Sequence, residues 1–242
     1  MELGLIGRSL GHSFSRAFFN NKFEQEGLSG YHYRNFELAR INEFPALLQK
    51  HPQLAGLNVT IPYKSQIIPL LDVISEEALE IEAVNVIRIR NGSTTGFNTD
   101  HSGFRESLMP LLRGIEDQAL ILGSGGAARA VVYALKSLGI KSQVVSRKPT
   151  SDQMSYRDAG IQLAEFPLVV NCTPLGTYPE QEQMPPLPLD NVSENHLFYD
   201  LIYNPAKTRW LKQAEKRGAR AKNGYEMLVR QAEAAWRIWH AK

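Results

Sequence analysis

Three observations predict an α/β fold in two parts. Short apolar runs alternate with helix-patterned stretches through residues 1–100, the run ALILG at 119–123 then restarts the pattern, and a glycine-rich turn joins that run to a helix. Alternation of this kind marks a sheet covered by helices, and a strand apolar on both faces suits a buried parallel sheet. With 242 residues, 43% hydrophobic and 21% charged, the chain is long and apolar enough for one or two such cores.

Each element follows from the residues in order. Residues 3–6 read as a first strand, 16–26 as a helix stopped by Gly27, 31–36 as a second strand and 41–49 as a second helix. A strand at 56–60 is followed by a helical stretch at 64–71, another at 76–81, and a strand at 84–90 that closes on the hairpin signal Asn91-Gly92. An amphipathic stretch at 103–112 precedes the ALILG strand, the helix after it ends at Gly139, where a left-handed residue is wanted, and a further strand covers 143–145. The proline-dense segment 184–188 reads as a surface loop. The boundaries expected are a first domain over 1–100, completed by a C-terminal helix at 225–242, and a second domain over 101–224.

Charge and cysteine content exclude several classes. The 27 basic and 25 acidic residues leave a formal charge of +2, with no like-charge block that would mark a nucleic-acid arm or a membrane-surface helix. A single cysteine, Cys172, makes no internal disulfide, and no apolar run is long enough for a bilayer, so a cytoplasmic protein is expected. The six histidines lack ligand-like spacing and one thiol builds no zinc site, so no metal is expected.

The segment Gly123-Ser124-Gly125-Gly126-Ala127-Ala128 fits G-x-G-x-x-A between a strand and a helix. Its glycines permit close backbone approach, and the helix N-terminus receives a pyrophosphate; the alternative is a tight turn and nothing more. After the next strand stands Ser146-Arg147-Lys148, without an acid for ribose hydroxyls and with two cations, which favours the 2′-phosphate of NADP over NAD. As an alternative, both cations are solvated turn residues. The string Tyr203-x-x-x-Lys207 has the letters of a short-chain dehydrogenase pair, but Pro205 between them forbids the helix that pair requires.

In NVTIPYK, 58–64, a β-prone run is stopped by Pro62 and presents Lys64 with no acid beside it. Taken alone, Lys64 is as easily a solvated lysine opening a helix, and Asp100 as easily an N-cap.

Together GHSFS (11–15), GLNVTIPYK (56–64), AVNVI (83–87), GFNTDHSGF (96–104), LGSGGAARA (122–130), VVSRK (144–148), NCTPLG (171–176), YDLIYNP (199–205) and NGYEMLVRQA (223–232) resemble the shikimate dehydrogenase family over nearly the whole chain. The resemblance implies an N-terminal α/β substrate domain, a Rossmann-type parallel-sheet NADP domain, and an active site in the interdomain cleft. It implies that Lys64 and Asp100 are the catalytic pair at the substrate hydroxyl. A lysine in a partly desolvated cleft has its pKa lowered toward the working range while an adjacent carboxylate orients it, which suits an alcohol that must lose a proton as hydride leaves. By the same likeness Ser13 and Ser15 hold the substrate carboxylate, Thr60 and Asn85 contact its hydroxyls, and Tyr203 and Gln231 complete the pocket. Ser15 reads equally as an N-cap. Gln231 has an argument of its own: it shares a helical face with Met227, Leu228 and Ala235, where a buried amide needs a polar partner. Gly123, Ser124, Gly125, Gly126, Ala127, Ser146, Arg147, Lys148, Thr173, Gly224 and Met227 match cofactor-binding positions.

The expected reaction is reversible NADPH-dependent reduction of 3-dehydroshikimate to shikimate by a monomer or homodimer. A quinate dehydrogenase of broader specificity and a non-catalytic dinucleotide-binding module are the alternatives. The chain departs from the family pattern at Arg16, Ser146, Thr177 and Tyr225-Glu226, the last two places lying toward the expected nicotinamide side.

Overall fold

The computed structural model describes residues 1–11 and 13–241; His12 of the GHSFS block and the terminal Lys242 lie outside the described residues. The chain forms two compact units, residues 1–99 with 232–242, and residues 100–231.

In the first unit ELGLIG forms β1 (Glu2–Gly7), buried at every position. Such a strand suits a sheet interior, and β1 pairs in parallel with both β2 (His32–Glu37) and β3 (Leu54–Val59). Helices α1 (Phe14–Gln25) and α2 (Phe44–Lys50) make the crossovers. Past α1, Gly27 takes φ +67°, a conformation that side chains disfavour, and the helix ends there. A two-residue strand, β4 (Val73–Ile74), is too short to announce itself by periodicity. After α3 (Glu76–Ile81), the strands β5 (Val86–Arg90) and β6 (Ser93–Phe97) form an antiparallel hairpin across Asn91-Gly92, whose φ values are 50° and 80°. The sheet order is β2-β1-β3-β5-β6-β4.

Alternation along β1 feeds two cores. Ile6 joins Leu57, Val59, Tyr63, Ile67 and Ile87, whereas Leu3 and Leu5 join Phe19, Phe23, Tyr33 and Trp239. Trp239 comes from α8 (Tyr225–His240); its indole donates to Ile87 O at 3.0 Å and lies where any Cβ on Gly56 would stand 2.3 Å away. Position 56 is therefore closed to every side chain.

One element differs from the sequence expectation. Residues 64–71 do not form an α-helix: turns lead into a 3-10 helix at Ile68–Leu70. Ile67 N reaches Tyr63 O at 2.9 Å, but Pro69 has no N–H with which to extend that ladder. Lys64 is thus carried on a turn whose flanking Tyr63 and Ile67 are fully buried.

The second unit is an all-parallel sheet of β7 (Gln118–Leu122), β8 (Lys141–Val145), β9 (Leu168–Asn171), β10 (Leu197–Asp200) and β11 (Arg220–Lys222), in the order β11-β10-β9-β7-β8. α4 (Asp100–Leu108) is shorter than the amphipathic stretch at 103–112, which ends in a 3-10 turn around Pro110. α5 (Gly126–Ser137), α6 (Tyr156–Ile161) and α7 (Arg209–Glu215) cover the sheet. Ala119 and Ile121 pack with Val131, Ala134 and Leu135 of α5 on one face, and Leu120 and Leu122 with Leu163, Trp210 and Leu211 on the other. Each leucine so buried contributes roughly 1.5–3 kcal/mol. The proline segment is only partly surface: Leu187 and Leu189 are 2% and 6% exposed and join the second of these cores, with Pro188 against Gly160. Among the described residues no helix is long and apolar enough to cross a membrane.

Candidate active site

The second unit's candidate residues gather where strands end. β7 is in register with β8 and β9 through the pairs Leu122↔Val145 and Leu122↔Asn171, so Gly123, Ser146 and Cys172 follow the matched carboxyl ends of three adjacent strands. Gly123 N donates to Val145 O and Cys172 N to Leu122 O, each at 2.9 Å. Because β8 lies on one side of β7 and β9 on the other, the glycine turn occupies the topological switch point, where parallel sheets bind ligands. Gly123 has φ +107°, and Gly125 caps α5 with no side chain in the way, leaving the first helical amides to face an anion. Arg147 and Lys148 are exposed just beyond β8, with Lys148 N donating to Ser146 Oγ at 3.3 Å. This donor set fits a dinucleotide with an extra phosphate.

A buried carboxylate organises the neighbouring loops. Asp200, wholly buried at the end of β10, accepts from Asn171 Nδ2 at 3.0 Å, Ile202 N at 3.1 Å and Thr208 Oγ1 at 2.7 Å. Asn171 Oδ1 in turn accepts from Thr173 N at 3.0 Å and Thr173 Oγ1 at 2.7 Å, which holds Thr173 against Gly123. Burial outweighs the three donors and pushes the Asp200 pKa up to about 6. Burial, with the Asp200 charge nearby, pushes the Cys172 thiol pKa up. Tyr203 follows this turn and is half-buried; Gly224 is packed so tightly that a Cβ would sit 2.1 Å from Leu201 O. Met227 belongs to the core, and Gln231, 7% exposed, donates to Leu228 O at 2.9 Å. At the departure Glu226, the carboxylate is held by Lys222 at 2.6 Å and Arg230 at 2.7 Å, which keep its pKa low and offset its charge.

In the first unit the candidates are side chains. Ser13, not Ser15, is the N-cap of α1, accepting from Arg16 N at 3.3 Å; Ser15 lies in the first helical turn. Thr60 follows β3, its N–H bonded to Ile6 O at 3.0 Å. Lys64 is half-buried, and its carbonyl accepts from Val84 N at 2.8 Å, tying the lysine turn to the strand that brings Asn85. Asn85 clasps Thr99: its Oδ1 accepts from Thr99 N at 2.7 Å and its Nδ2 donates to Thr99 Oγ1 at 3.1 Å. Asp100 comes next in the chain, 6% exposed, as the first residue of α4 rather than its flanking cap. Buried Tyr33 and Asn58 belong to the same polar network and were not among the sequence candidates. Tyr33 shares its face of β2 with Asn35 and Glu37, so alternation does not single it out.

A glycine turn at the switch point of a parallel sheet, joined to a mixed-sheet unit bearing a buried polar network, defines a dinucleotide-binding α/β protein. The family model described as "Shikimate dehydrogenase substrate binding domain" matches residues 5–87. A "Shikimate dehydrogenase (NADP(+))" of Methanococcus maripaludis is 35% identical over 99% of this chain and 91% of its own length. The crystal structure of shikimate 5-dehydrogenase from Thermus thermophilus in complex with NADP(H) and shikimate aligns with a TM-score of 0.89 at 30% identity, covering 100% of this chain and 94% of that one. Quinate dehydrogenase from Corynebacterium glutamicum in complex with NAD aligns with the same TM-score, 0.89, at 29% identity, with 100% and 94% covered. The chain belongs to the shikimate dehydrogenase family.

Proposed function

We propose that the protein interconverts 3-dehydroshikimate and shikimate, with NADP as the hydride carrier. The observation that carries this reading is kinship of about one residue in three, along nearly its whole length, with enzymes named for that reaction and cofactor. NADP, when bound, accepts or returns the hydride. The chain supplies the rest. Lys64 takes the proton from the substrate hydroxyl during oxidation and returns it during reduction, and Asp100 orients that exchange. Ser13 keeps its proton for a substrate carboxylate, because capping Arg16 N uses only its lone pair. Thr60 and Asn85 meet the ring hydroxyls, while Tyr203 and Gln231 close the substrate site. Gly123, Ser124, Gly125, Gly126 and Ala127 cradle the pyrophosphate, Ser146, Arg147 and Lys148 hold the 2′-phosphate, and Thr173, Gly224 and Met227 border the nicotinamide. The domain roles follow: residues 1–100 with the C-terminal helix for substrate, residues 101–224 for NADP.

Initial rates with shikimate and quinate, each against NADP and NAD, test the reading. The shikimate and NADP pair is expected to exceed every other pair in kcat/KM by about tenfold or more. Quinate with NAD as the better pair would replace this reading with the broader quinate one, and no turnover of any pair would leave a binding module.

A further inference from the structure

Glycine is a poor helix former, yet α4 carries Gly103 in its interior, where no turn and no left-handed φ calls for one. The reason lies in what faces it. A Cβ built there would stand 2.7 Å from Met227 O, 2.9 Å from Gln231 N and 3.0 Å from Gln231 Cβ, all on α8 and all within the second unit. The two nearest atoms are backbone, so no side-chain rotation makes room. A methyl group settles about 3.5–4.0 Å from its neighbours, so alanine at 103 would part the two helices by about 1 Å.

Asp100, Gly103 and Ser107 fall at i, i+3 and i+7, so they form one stripe of α4, and all three are buried. The far end of the stripe is tied as well. Ser107 Oγ donates to Phe104 O at 3.0 Å, and its contact of 2.7 Å with Tyr199 therefore takes the Tyr199 hydroxyl as donor. The Tyr199 ring also meets Phe104 edge-on, with centroids 5.0 Å apart. α4 is thus seated twice, on α8 at Gly103 and on β10 at Ser107, and Asp100 stands one turn before the first seat. The turn of α8 that faces this seat runs from Met227 to Gln231.

We propose that Gly103 is a positioning residue: by letting the α4 backbone meet the Met227–Gln231 turn of α8, it fixes the spacing between the Asp100 carboxylate and the Gln231 amide, so that both reach one substrate. The inference rests on the substrate roles proposed above for Asp100 and Gln231, and Gly103 has no side chain with which to bind anything itself.

Gly103→Ala adds one methyl group. The kcat/KM for shikimate is expected to fall about 30–300-fold, as for a misplacement of about 1 Å at an active site, while the NADP Kd stays within about threefold. In the Asp100→Asn background the same change is expected to cost at least about threefold less than in wild type, since the group it displaces is already altered. A folded Gly103→Ala with unchanged kcat/KM, an equal loss of NADP affinity, or equal losses in the two backgrounds would each overturn the inference. Should Gly103→Ala not fold, Tyr199→Phe keeps the ring and releases the other seat of the same helix. The shikimate kcat/KM is then expected to fall about 3–10-fold with NADP Kd unchanged, and an unchanged kcat/KM overturns the inference. Wild-type protein that neither binds nor oxidises shikimate defeats the proposed function itself, a failure seen before any variant is made.

Discussion

The two units build their candidate sites from different parts of the chain. In the second, the candidate groups are backbone amides at the carboxyl ends of parallel strands, with Gly123 at the switch point, and the exposed Arg147 just past the neighbouring strand. In the first, the candidates are side chains on a turn, at a helix start and beside strand ends, with Asn85 bonded to Asn58 on one side and Thr99 on the other. A backbone site tolerates side-chain change so long as the glycine geometry persists, whereas a side-chain site depends on each functional group. In the proposed function the proton-carrying lysine thus comes from the first unit, its partner Asp100 opens the second, and cofactor choice is placed with the second.

The sharpest way to break this contrast is Lys64→Ala. It is expected to lower kcat by about 10²–10⁴-fold while leaving the KM for NADP within about twofold. Stopped-flow or steady-state rates decide it, and an unchanged kcat would move the chemistry elsewhere.

Next in size is the pH response of the buried carboxylate in the second unit. Asp200 has a folded pKa of about 6 against an ordinary 3.8, so the native state holds a proton that the unfolded chain has already lost. The associated stability is fully present below about pH 4 and is lost as pH rises through 6, a loss on the order of 2–3 kcal/mol. Chemical denaturation of wild type and Asp200→Asn across that window checks it: the difference between them should vary with pH, and parallel curves would contradict the buried-charge account.

Arg147→Ala sharpens the assignment of cofactor choice. NADP affinity is expected to fall about 10–50-fold with NAD affinity nearly unchanged, because only the 2′-phosphate uses the guanidinium fork. Equal losses would remove that assignment. The smallest effect belongs to Glu226→Ala. Its carboxylate is already compensated by Lys222 and Arg230, so the KM for NADP should change less than about threefold and stability by less than about 1 kcal/mol.

The same contrast explains what the sequence disclosed. Backbone sites leave motifs: the glycine turn and the strand before it follow from local sterics, as do the left-handed Gly139 and the Asn91-Gly92 hairpin. Side-chain sites leave none without the family resemblance, because Tyr33 and Asn58 are distant in sequence and meet only through parallel pairing of β2 and β3 with β1. The expected helix at 64–71 failed on one residue, Pro69, and the loop at 184–188 hid the core Leu187 between its prolines, with core Leu189 just after them. Position 224 illustrates a third kind of opacity, since nothing in the letter Gly reveals that Leu201 O lies where its Cβ would be.

The central claim is that Lys64, from one unit, and Asp100, opening the other, act on a single substrate hydroxyl. A double-mutant cycle on kcat with Lys64→Ala and Asp100→Asn tests it most directly. If the two serve one proton transfer, the double variant should be no slower than the slower single variant, within about threefold. Full multiplication of the two losses would show that they act independently and would contradict the account.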